Sequence, residues 1–227
     1  TRQCYQLPMH SGIYPLRMNV VYTSIFGGYD DLIDDQYRMP NTDYICFTDE
    51  KIQSTFWDVV VCEPESIPVR DARKFKVLPH RYLKDYEYSI WMDGNIQLKS
   101  DVSHLIDECS FIRHPYRNCV YKEFMACVRC KKDDPHIMQK QVRRYRKNRY
   151  PSRNGMTSSC FIIRKHNDMI KVNEDWWAEI EAGSYRDQLS WNYVAHKNKF
   201  PFRYLEFDPY DNEYFQLYKH GTYKHSL

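Results

Sequence analysis

The stretch YEYSIWMDGNIQL, Tyr86–Leu98, joins an apolar run to a polar end and decides how the rest of the chain is interpreted. The run YSIWM is rich in aromatic and apolar residues, which is typical of a strand that is covered on both faces. It ends abruptly on Asp93, Gly94 and Asn95. A hairpin turn is one explanation, because Asp-Gly and Gly-Asn pairs suit two-residue turns. The other explanation is a ligand site at the end of the strand.

Short strand-like segments alternate with longer helical segments along most of the chain. Besides YSIWM, strands are predicted at Asn19–Phe26, Asp43–Thr48, Phe56–Glu63, Ser158–Arg164 and, last, in FRYLEF. Helices are predicted at Arg70–Tyr86 with a break near Pro79, from Ser100 or Asp101 in DVSHLIDEC, and at Tyr121–Lys131, Pro135–Lys147, Asn167–Ala182 and Asp187–Lys197. This alternation predicts a single α/β domain with a mostly parallel sheet that is flanked by helices on both faces.

Polar loops follow three of the predicted strands. The loop FGGYDD begins after the first strand, Asp49 follows the second, and Asp93 follows YSIWM. In parallel sheets, ligands bind outside the carboxyl ends of the strands. The three loops are therefore expected to converge on one crevice, which a simple turn at Asp93 would not predict.

Composition and missing motifs exclude several classes of protein. Acidic and basic residues are mostly interspersed and leave a net charge of +3, which argues against a generic nucleic-acid-binding protein. Gly27-Gly28 lacks the spacing of a dinucleotide fingerprint, and the chain contains no P-loop, nucleophile elbow or paired-His helix. These absences argue against dehydrogenases, P-loop ATPases and common hydrolases.

A local excess of positive charge stands out in KQVRRYRKNRYPSR, Lys140–Arg153, which contains seven basic residues interleaved with tyrosines. A solvated helix face would have this composition. So would a nucleic-acid patch, or a surface that attracts an anionic acceptor or another protein. The sequence leaves these alternatives open, although the overall charge balance favours no nucleic-acid partner.

The sequence also bears on the cellular compartment. It contains no run of about 18 apolar residues, no signal-like N-terminal segment and no Asn-x-Ser/Thr sequon. Several of the eight cysteines lie in apolar strand-like runs, where Cys commonly behaves as a small hydrophobic residue, and most are expected to be reduced. Together these features favour the cytoplasm, with the Golgi lumen as the alternative if a membrane anchor was removed.

The residue types after the YSIWM strand suit a nucleotide-sugar site. Asp93 and Asn95 offer oxygen ligands for a hard divalent cation, and Gly94 lets a diphosphate approach the backbone. Arg73 and Lys76 lie on the preceding helix with a spacing that suits a diphosphate, although a solvated basic face is nearly as good an interpretation.

In this position Asp93–Asn95 resembles the Asp-x-Asp motif of GT-A glycosyltransferases, which holds Mn²⁺ or Mg²⁺ on a nucleoside diphosphate. The wider chain resembles one glycosyltransferase-like family, formerly catalogued as a domain of unknown function, that includes plant Golgi proteins linked to mucilage and wall polysaccharides, with bacterial and viral members. The matching segments occur in the family's order: YTSIFGGYDDL, DYICFTD, RKFKVLPH, DYEYSIWMDGNIQL, RHPYRNCVYKEF, FIIRKHN, WWAEI and RDQLSWNYVAHK. They span roughly Asn19–Lys197. Many plant relatives carry Lys where this chain has Asn95.

The resemblance implies a GT-A fold and transfer of a sugar from a nucleoside-diphosphate donor, UDP-linked by analogy, to a hydroxyl group of a glycan or glycoprotein. The implied donor-binding residues are Thr23, Phe26, Gly27, Tyr29, Asp49, Arg73, Lys76, Asp93, Gly94 and Lys224. The implied ligands of Mn²⁺ or Mg²⁺ are Asp93, Asn95, His220 and His225. The domain core is expected to cover about residues 19–207, with the tail 208–227 closing over the donor site. Asp49 could instead be a turn cap, and the tail could be a frayed terminus.

Acceptor-binding residues are expected in the loops around 113–123 and 149–156, because acceptor pockets are commonly built from loops. The candidates are Arg113, His114, Tyr121, Glu123 and Gly155.

Asp187, at the start of the helix in SYRDQLSWNYVAHK, is the candidate catalytic residue. Inverting GT-A enzymes often place the base that deprotonates the acceptor there, and we expect inversion with slight preference. Retaining enzymes carry a similar Asp-Gln stretch that does not act as base. An ordinary N-cap is a further alternative, as is a catalytically inactive nucleotide-sugar or glycan-binding module.

Overall fold

The computed structural model describes residues 17–221, and its central feature is a seven-stranded sheet with the order β3-β2-β1-β4-β7-β6-β8. The strands are β1 Arg17–Ile25, β2 Thr42–Thr48, β3 Asp58–Val61, β4 Tyr86–Met92, β6 Cys109–Arg113, β7 Thr157–Arg164 and β8 Arg203–Leu205. β1 pairs in parallel with β2 and β4, β2 with β3, and β6 with β8, whereas β7 is antiparallel to both of its neighbours. The predicted mostly parallel α/β sheet is therefore confirmed.

The helices pack together on one face of this sheet. They are α1 Pro68–Val77, α2 Pro79–Tyr82, α3 Val120–Arg129, α4 Pro135–Lys147, α5 Ile170–Glu181 and α6 Gln188–Asn198. Phe75, Trp176 and Leu189 from these helices form one core with Tyr22 and Phe111 of the sheet. None of the helices described between residues 17 and 221 is long and apolar enough to cross a membrane.

The opposite face is covered without a long helix, so the prediction of helices on both faces is correct for one face. Here Val21 and Ile90 of the sheet pack with Trp57 and Phe215 in a second core. Because both faces are buried, successive residues such as Val20 and Val21 are both inaccessible. This double burial explains the nearly continuous apolar runs in the sequence.

One predicted helix is absent from the described structure. The segment DVSHLIDEC contains only a 3₁₀ turn, Ser103–Leu105, rather than a helix. The Asp101 carboxylate accepts a hydrogen bond from the backbone N–H of Ser103 (2.8 Å), so the side chain closes a local turn.

A two-stranded antiparallel sheet was not predicted. β5 Ile96–Leu98 pairs with β9 Phe215–Leu217. The backbone N–H of Tyr218 also donates to the carbonyl oxygen of Asn95 (2.9 Å). These bonds attach the C-terminal segment directly beside the Asp93–Asn95 motif.

Candidate functional site

A cleft of about 500 Å³ lies at the carboxyl ends of β1 and β4. Its walls come from the end of β1 and the following loop, from α1, from Asp93 and Gly94, and from residues 185–188. The predicted convergence of the first loop with the Asp93 loop is thus observed. Because several candidate donor-binding residues line this cavity, it is called the donor cleft below. They are Phe26, Gly27, Tyr29, Arg73, Lys76, Asp93 and Gly94.

Close backbone packing shapes the loop after β1. Gly27 has a φ of +64°, and a Cβ atom there would lie 2.9 Å from the ring of Pro68. Both carboxylate oxygens of Asp49 accept a hydrogen bond from the backbone N–H of Gly27 (2.9 and 3.0 Å). Asp49 is not part of the cleft wall and holds this loop in place, in agreement with the capping alternative.

Lys76 is the centre of a buried charge cluster. Its ammonium group lies 2.7 Å from Oδ2 of Asp187, 3.2 Å from Oδ1 of Asp93 and 3.3 Å from Oγ of Ser159, and the residue is 1% exposed. These three partners match the three donors of an ammonium group. Trp91 adds a hydrogen bond from its indole N–H to Oδ1 of Asp93 (2.9 Å). Lys76 therefore links the end of β4 to the segment before α6.

Asp187 is enclosed by positive charge. Arg73 Nε lies 3.4 Å from its Oδ1 atom, and Ser159 donates a hydrogen bond to Oδ2 (2.8 Å). Burial by itself raises the pKa of Asp187, but the charges of Lys76, Arg73 and Arg186 outweigh it and hold the pKa well below its ordinary value.

This environment argues against a catalytic base and against a capping side chain at Asp187. A general base needs a pKa near the operating pH and access to the acceptor, whereas Asp187 is 2% exposed and is held as an anion between cations. Its side chain also makes no capping hydrogen bond to α6. Its carboxylate instead pairs with both Lys76 and Arg73.

Two guanidinium groups on the donor cleft have unused hydrogen-bonding capacity. The Nε atoms of Arg73 and Arg186 are buried and have no hydrogen-bond partner among the residues that the structure describes. Buried donors in native proteins are normally paired, so an anionic ligand in the cleft would complete their bonding.

His220 brings the C-terminal segment to the mouth of the donor cleft. Its Nδ1 atom lies 2.9 Å from an oxygen of Asp30, and its ring packs against Tyr29 with centroids 4.7 Å apart. The hydrogen bond to Asp30 raises the pKa of His220, and the charge of Asp93 adds to this effect. The other two tail candidates, Lys224 and His225, lie outside the described residues.

The proposed metal site is only partly matched. Between residues 17 and 221, no three His, Cys, Asp or Glu side chains form a group that could hold a metal ion. Asn95 is not on the cleft wall, and its amide nitrogen donates to the carbonyl oxygen of Tyr218 (2.5 Å). The amide nitrogen of Asn95 therefore anchors the C-terminal segment, and its Oδ1 atom is buried without a hydrogen-bond partner among the described residues. Asp93 is about a quarter exposed (26%) on the cleft, and Mg²⁺ sites on phosphates commonly use only one or two carboxylates.

The prediction that Thr23 binds the donor is not supported by its position. Thr23 is buried in β1 at 1% exposure, and Ser24 lies on the cleft wall instead. Successive side chains of a strand point to opposite faces, so a shift of one residue exchanges cleft and core.

A second cavity of about 230 Å³ adjoins the donor cleft and contains two of the five acceptor candidates, His114 and Glu123. Arg117 forms an ion pair with Glu123 and donates to His114 Nε2 (2.7 Å). Burial and the neighbouring charge of Arg117 lower the pKa of His114. Lys132, Arg186 and Gln188 line both cavities, so the two cavities are adjacent.

The remaining acceptor candidates lie outside both cavities. Arg113 pairs with Glu206 and stacks on the ring of Tyr204. Tyr121 donates to the carbonyl oxygen of Tyr150 (2.7 Å), and a Cβ atom on Gly155 would lie only 2.2 Å from the hydroxyl of Tyr204. All three make contacts within the fold that do not involve either cavity.

The residues of the cluster and the cleft walls that sequence reasoning missed include Asp30, Trp91, Lys132, Ser159 and Arg186. Arg186 could have been found from its position beside Asp187, and Asp30 from the polar loop that contains it. Ser159 carries no such signal, because it is one polar residue within an apolar strand.

Comparison with known proteins gives an independent result. The profile of a family described as "TOD1/MUCI70, glycosyltransferase-like domain" matches residues 32–220. The chain is also similar to a protein of Arabidopsis thaliana named "Probable hexosyltransferase MUCI70", with 24% identity over 217 aligned residues. That alignment covers 78% of this chain and 37% of the relative, so the chain spans little more than a third of the relative's length.

Proposed function

This chain belongs to the TOD1/MUCI70 glycosyltransferase-like family, and we propose that it transfers a hexosyl group from a nucleoside-diphosphate sugar, UDP-linked by analogy, to a hydroxyl group of a glycan or glycoprotein. The residues that match the family profile include the charge cluster and the second cavity, whereas residues 24–30 of the donor-cleft wall lie before the matched range.

The observation that carries the proposal is the set of cations on the donor cleft. Arg73, Lys76 and Arg186 converge there, and the buried Nε atoms of Arg73 and Arg186 have no hydrogen-bond partner in the described part of the chain, although Arg73 Nε lies 3.4 Å from Asp187. A diphosphate supplies several anionic oxygens within the span of one ligand and matches planar guanidinium donors well. Tyr29, which is 65% exposed at the cleft, offers a ring against which a base or sugar can pack.

Asp93 is the residue that would hold Mn²⁺ or Mg²⁺ against the diphosphate, with Asp30 and His220 near the same side of the cleft. Its carboxylate reaches the cleft, and carboxylate oxygen is the ligand type that both ions prefer. A bound ion would neutralise charge on the departing diphosphate.

The geometry of Asp187 favours the retaining alternative over inversion. In a retaining transfer, the bond from the anomeric carbon to the phosphate oxygen breaks while the bond to the acceptor oxygen forms on the same face. The acceptor proton passes to the departing phosphate oxygen, so no protein carboxylate has to accept it. In this scheme Asp187 keeps Lys76 and Arg73 in position to stabilise the negative charge that develops on the diphosphate.

The second cavity is the proposed acceptor site. It touches the donor cleft through three shared residues and offers His114, Arg117 and Glu123 as hydrogen-bonding groups for hydroxyls. Such a site holds the acceptor oxygen next to the donor, which reduces the entropic cost of the reaction.

Thermal stabilisation by a panel of nucleotides and nucleotide sugars, with and without Mn²⁺, tests donor binding without assuming any acceptor. A ligand that binds only the folded protein raises its melting temperature by mass action. We expect stabilisation by UDP and a UDP-hexose, and less by uridine. A melting temperature unchanged by every nucleotide would contradict the proposed function.

The chemical step needs a separate test. The donor that binds best is incubated with candidate glycans, and the anomeric configuration of the product is determined by NMR. Retention is expected. An inverted product would refute the retaining scheme without affecting the proposed donor site.

A further inference from the structure

The positive charge of this protein is concentrated in one helical hairpin. This basic hairpin, residues 120–153, consists of α3, the turn after it, α4 and the following loop. It contains eleven Lys and Arg residues against three acidic residues, a net charge of +8. Because the whole chain carries +3, the rest of the sequence carries −5. The net positive charge of the chain therefore comes from the basic hairpin.

Almost all of these cations face solvent. Ten of the eleven are exposed: Lys122, Arg129, Lys131, Lys132, Lys140, Arg143, Arg146, Lys147, Arg149 and Arg153. The eleventh, Arg144, pairs with Glu179 of α5 (2.6 Å).

The three acidic residues of the basic hairpin are used in local contacts. Glu123 is buried and pairs with Arg117, Asp133 accepts from the backbone N–H of Tyr185 (3.1 Å), and Asp134 caps α4. The outer surface therefore keeps nearly its full positive charge.

The aromatic residues of the basic hairpin point inward. Tyr145 is fully buried and stacks on Tyr193, Tyr150 is buried, and Tyr121 and Phe124 are half-buried. Single-stranded nucleic acids and sugar rings are usually bound with exposed aromatic rings. The interleaved tyrosines of the sequence thus serve the core and provide no stacking platform.

Aliphatic side chains of the basic hairpin are exposed instead. Met125 on α3 is 59% exposed and Ile137 in the first turn of α4 is 41% exposed, among the lysines and arginines of both helices. Exposed apolar side chains surrounded by Lys and Arg are typical of helices that lie on anionic bilayers, where the cations contact headgroups and the apolar groups enter the boundary layer.

We propose that the outer surface of the basic hairpin docks on an anionic phospholipid bilayer, with Met125 and Ile137 inserted among the headgroups. The inference does not depend on the proposed catalytic activity. It has a geometric consequence, because Lys132 in the turn lines both cavities and α3 contributes Glu123 and Cys127 to the second one. Docking would hold both cavities close to the membrane surface.

Cosedimentation with sucrose-loaded vesicles tests the proposal directly. One set of vesicles contains phosphatidylcholine alone, and the other contains phosphatidylcholine with an equal amount of phosphatidylglycerol. We expect binding to the anionic vesicles only, weakening as salt rises. Equal binding to both sets, or binding to neither, would overturn the proposal.

Matched charge reversals locate the surface. Lys140→Glu combined with Lys147→Glu changes two exposed residues of α4, and Lys51→Glu combined with Lys84→Glu changes two exposed residues elsewhere by the same total charge. Each Lys or Arg at an anionic membrane is worth about fivefold in affinity, so the loss of two lysines alone should cost about 25-fold, and the two added carboxylates should increase this loss. The control pair should retain most of the binding. Equal losses would show a non-specific charge effect and overturn the assignment to the basic hairpin.

The apolar contribution separates a membrane from other polyanions. Met125→Ser combined with Ile137→Ser keeps every charge and should weaken binding to anionic vesicles several-fold, while affinity for dextran sulfate and duplex DNA stays the same. If the variant binds vesicles as well as the original chain, or if soluble polyanions outcompete the vesicles, the surface is a general polyanion site and the membrane proposal is wrong. Circular dichroism spectra confirm that each variant is folded before its binding is interpreted.

Discussion

The ammonium group of Lys76 lies 2.7 Å from Oδ2 of Asp187, and both residues are almost completely buried. A paired charge in such a position is stable only while its partner is present, because an isolated buried charge is costly. The pair therefore contributes to the stability of the fold and also sets the charge on the wall of the donor cleft.

Asp187→Asn should destabilise the protein by about 3 kcal/mol, since it leaves Lys76 and Arg73 without their central anion. Urea denaturation measures the loss. The matched control is Asp175→Asn on α5, whose carboxylate forms a partly exposed pair with Lys171 and should contribute less than about 1 kcal/mol.

A double-mutant cycle sharpens this prediction. Lys76→Met combined with Asp187→Asn should cost less than the sum of the two single changes, because neither member of the pair is then left as a buried charge without the other. Additive losses would show that the two side chains do not act as a pair.

Arg73→Gln should weaken UDP binding by about 10- to 100-fold, because a hydrogen bond to a charged group is worth about 1.5–3 kcal/mol. Isothermal titration calorimetry with UDP and with uridine separates the diphosphate from the base, and uridine affinity should change little. Lys74→Gln is the control, because Lys74 is on the same helix but pairs with Glu65 outside the cleft. The same loss for both ligands would place Arg73 away from the diphosphate.

Asp93→Asn should remove the increase in UDP affinity that Mn²⁺ provides, because an amide is a weaker ligand for a hard cation than a carboxylate. Asn95→Ser should preserve this metal effect, since Asn95 bonds to Tyr218 and does not line the cleft. Titrating UDP with and without Mn²⁺ checks both variants. If Asn95→Ser abolished the metal effect and Asp93→Asn did not, the assignment would be reversed.

The contact between His220 and Asp30 should depend on pH. Because the folded pKa of His220 is raised above its ordinary value of 6.5, protonation stabilises the contact. That stabilisation is fully present below pH 6.5 and is lost as pH rises through the raised pKa. An NMR titration of the imidazole should give a midpoint above 6.5, and His220→Gln should remove this part of the pH dependence of the melting temperature. A midpoint at or below 6.5 would contradict the contact.

Glu123→Gln should raise the KM for the acceptor and leave UDP affinity unchanged, because Glu123 lines the second cavity and not the donor cleft. Glu206→Gln is the control, since Glu206 pairs with Arg113 outside both cavities. Initial rates at varied acceptor concentration measure the effect. A loss of UDP affinity in Glu123→Gln would mean that the two cavities are not separate sites.

The sequence alone determined the architecture and the position of the cleft. Near-continuous apolar runs such as YSIWM require a sheet that is buried on both faces. The carboxyl ends of parallel strands meet at one edge of a sheet, so the loop after β1 was expected beside Asp93. Both conclusions depend on the types and spacing of residues within short segments, which can be read without knowing the tertiary contacts.

Only the tertiary structure decided which polar residues face the cleft, how exposed they are and which ion pairs they form. Asp187, Ser159 and Lys76 are far apart in the chain, and nothing local indicates that they form one buried cluster. Asn95 likewise became an anchor because the C-terminal segment pairs beside it, and Thr23 became a core residue through the pleat of β1. Burial and ion pairing set the charge and accessibility of a carboxylate, and both depend on residues that only folding brings together.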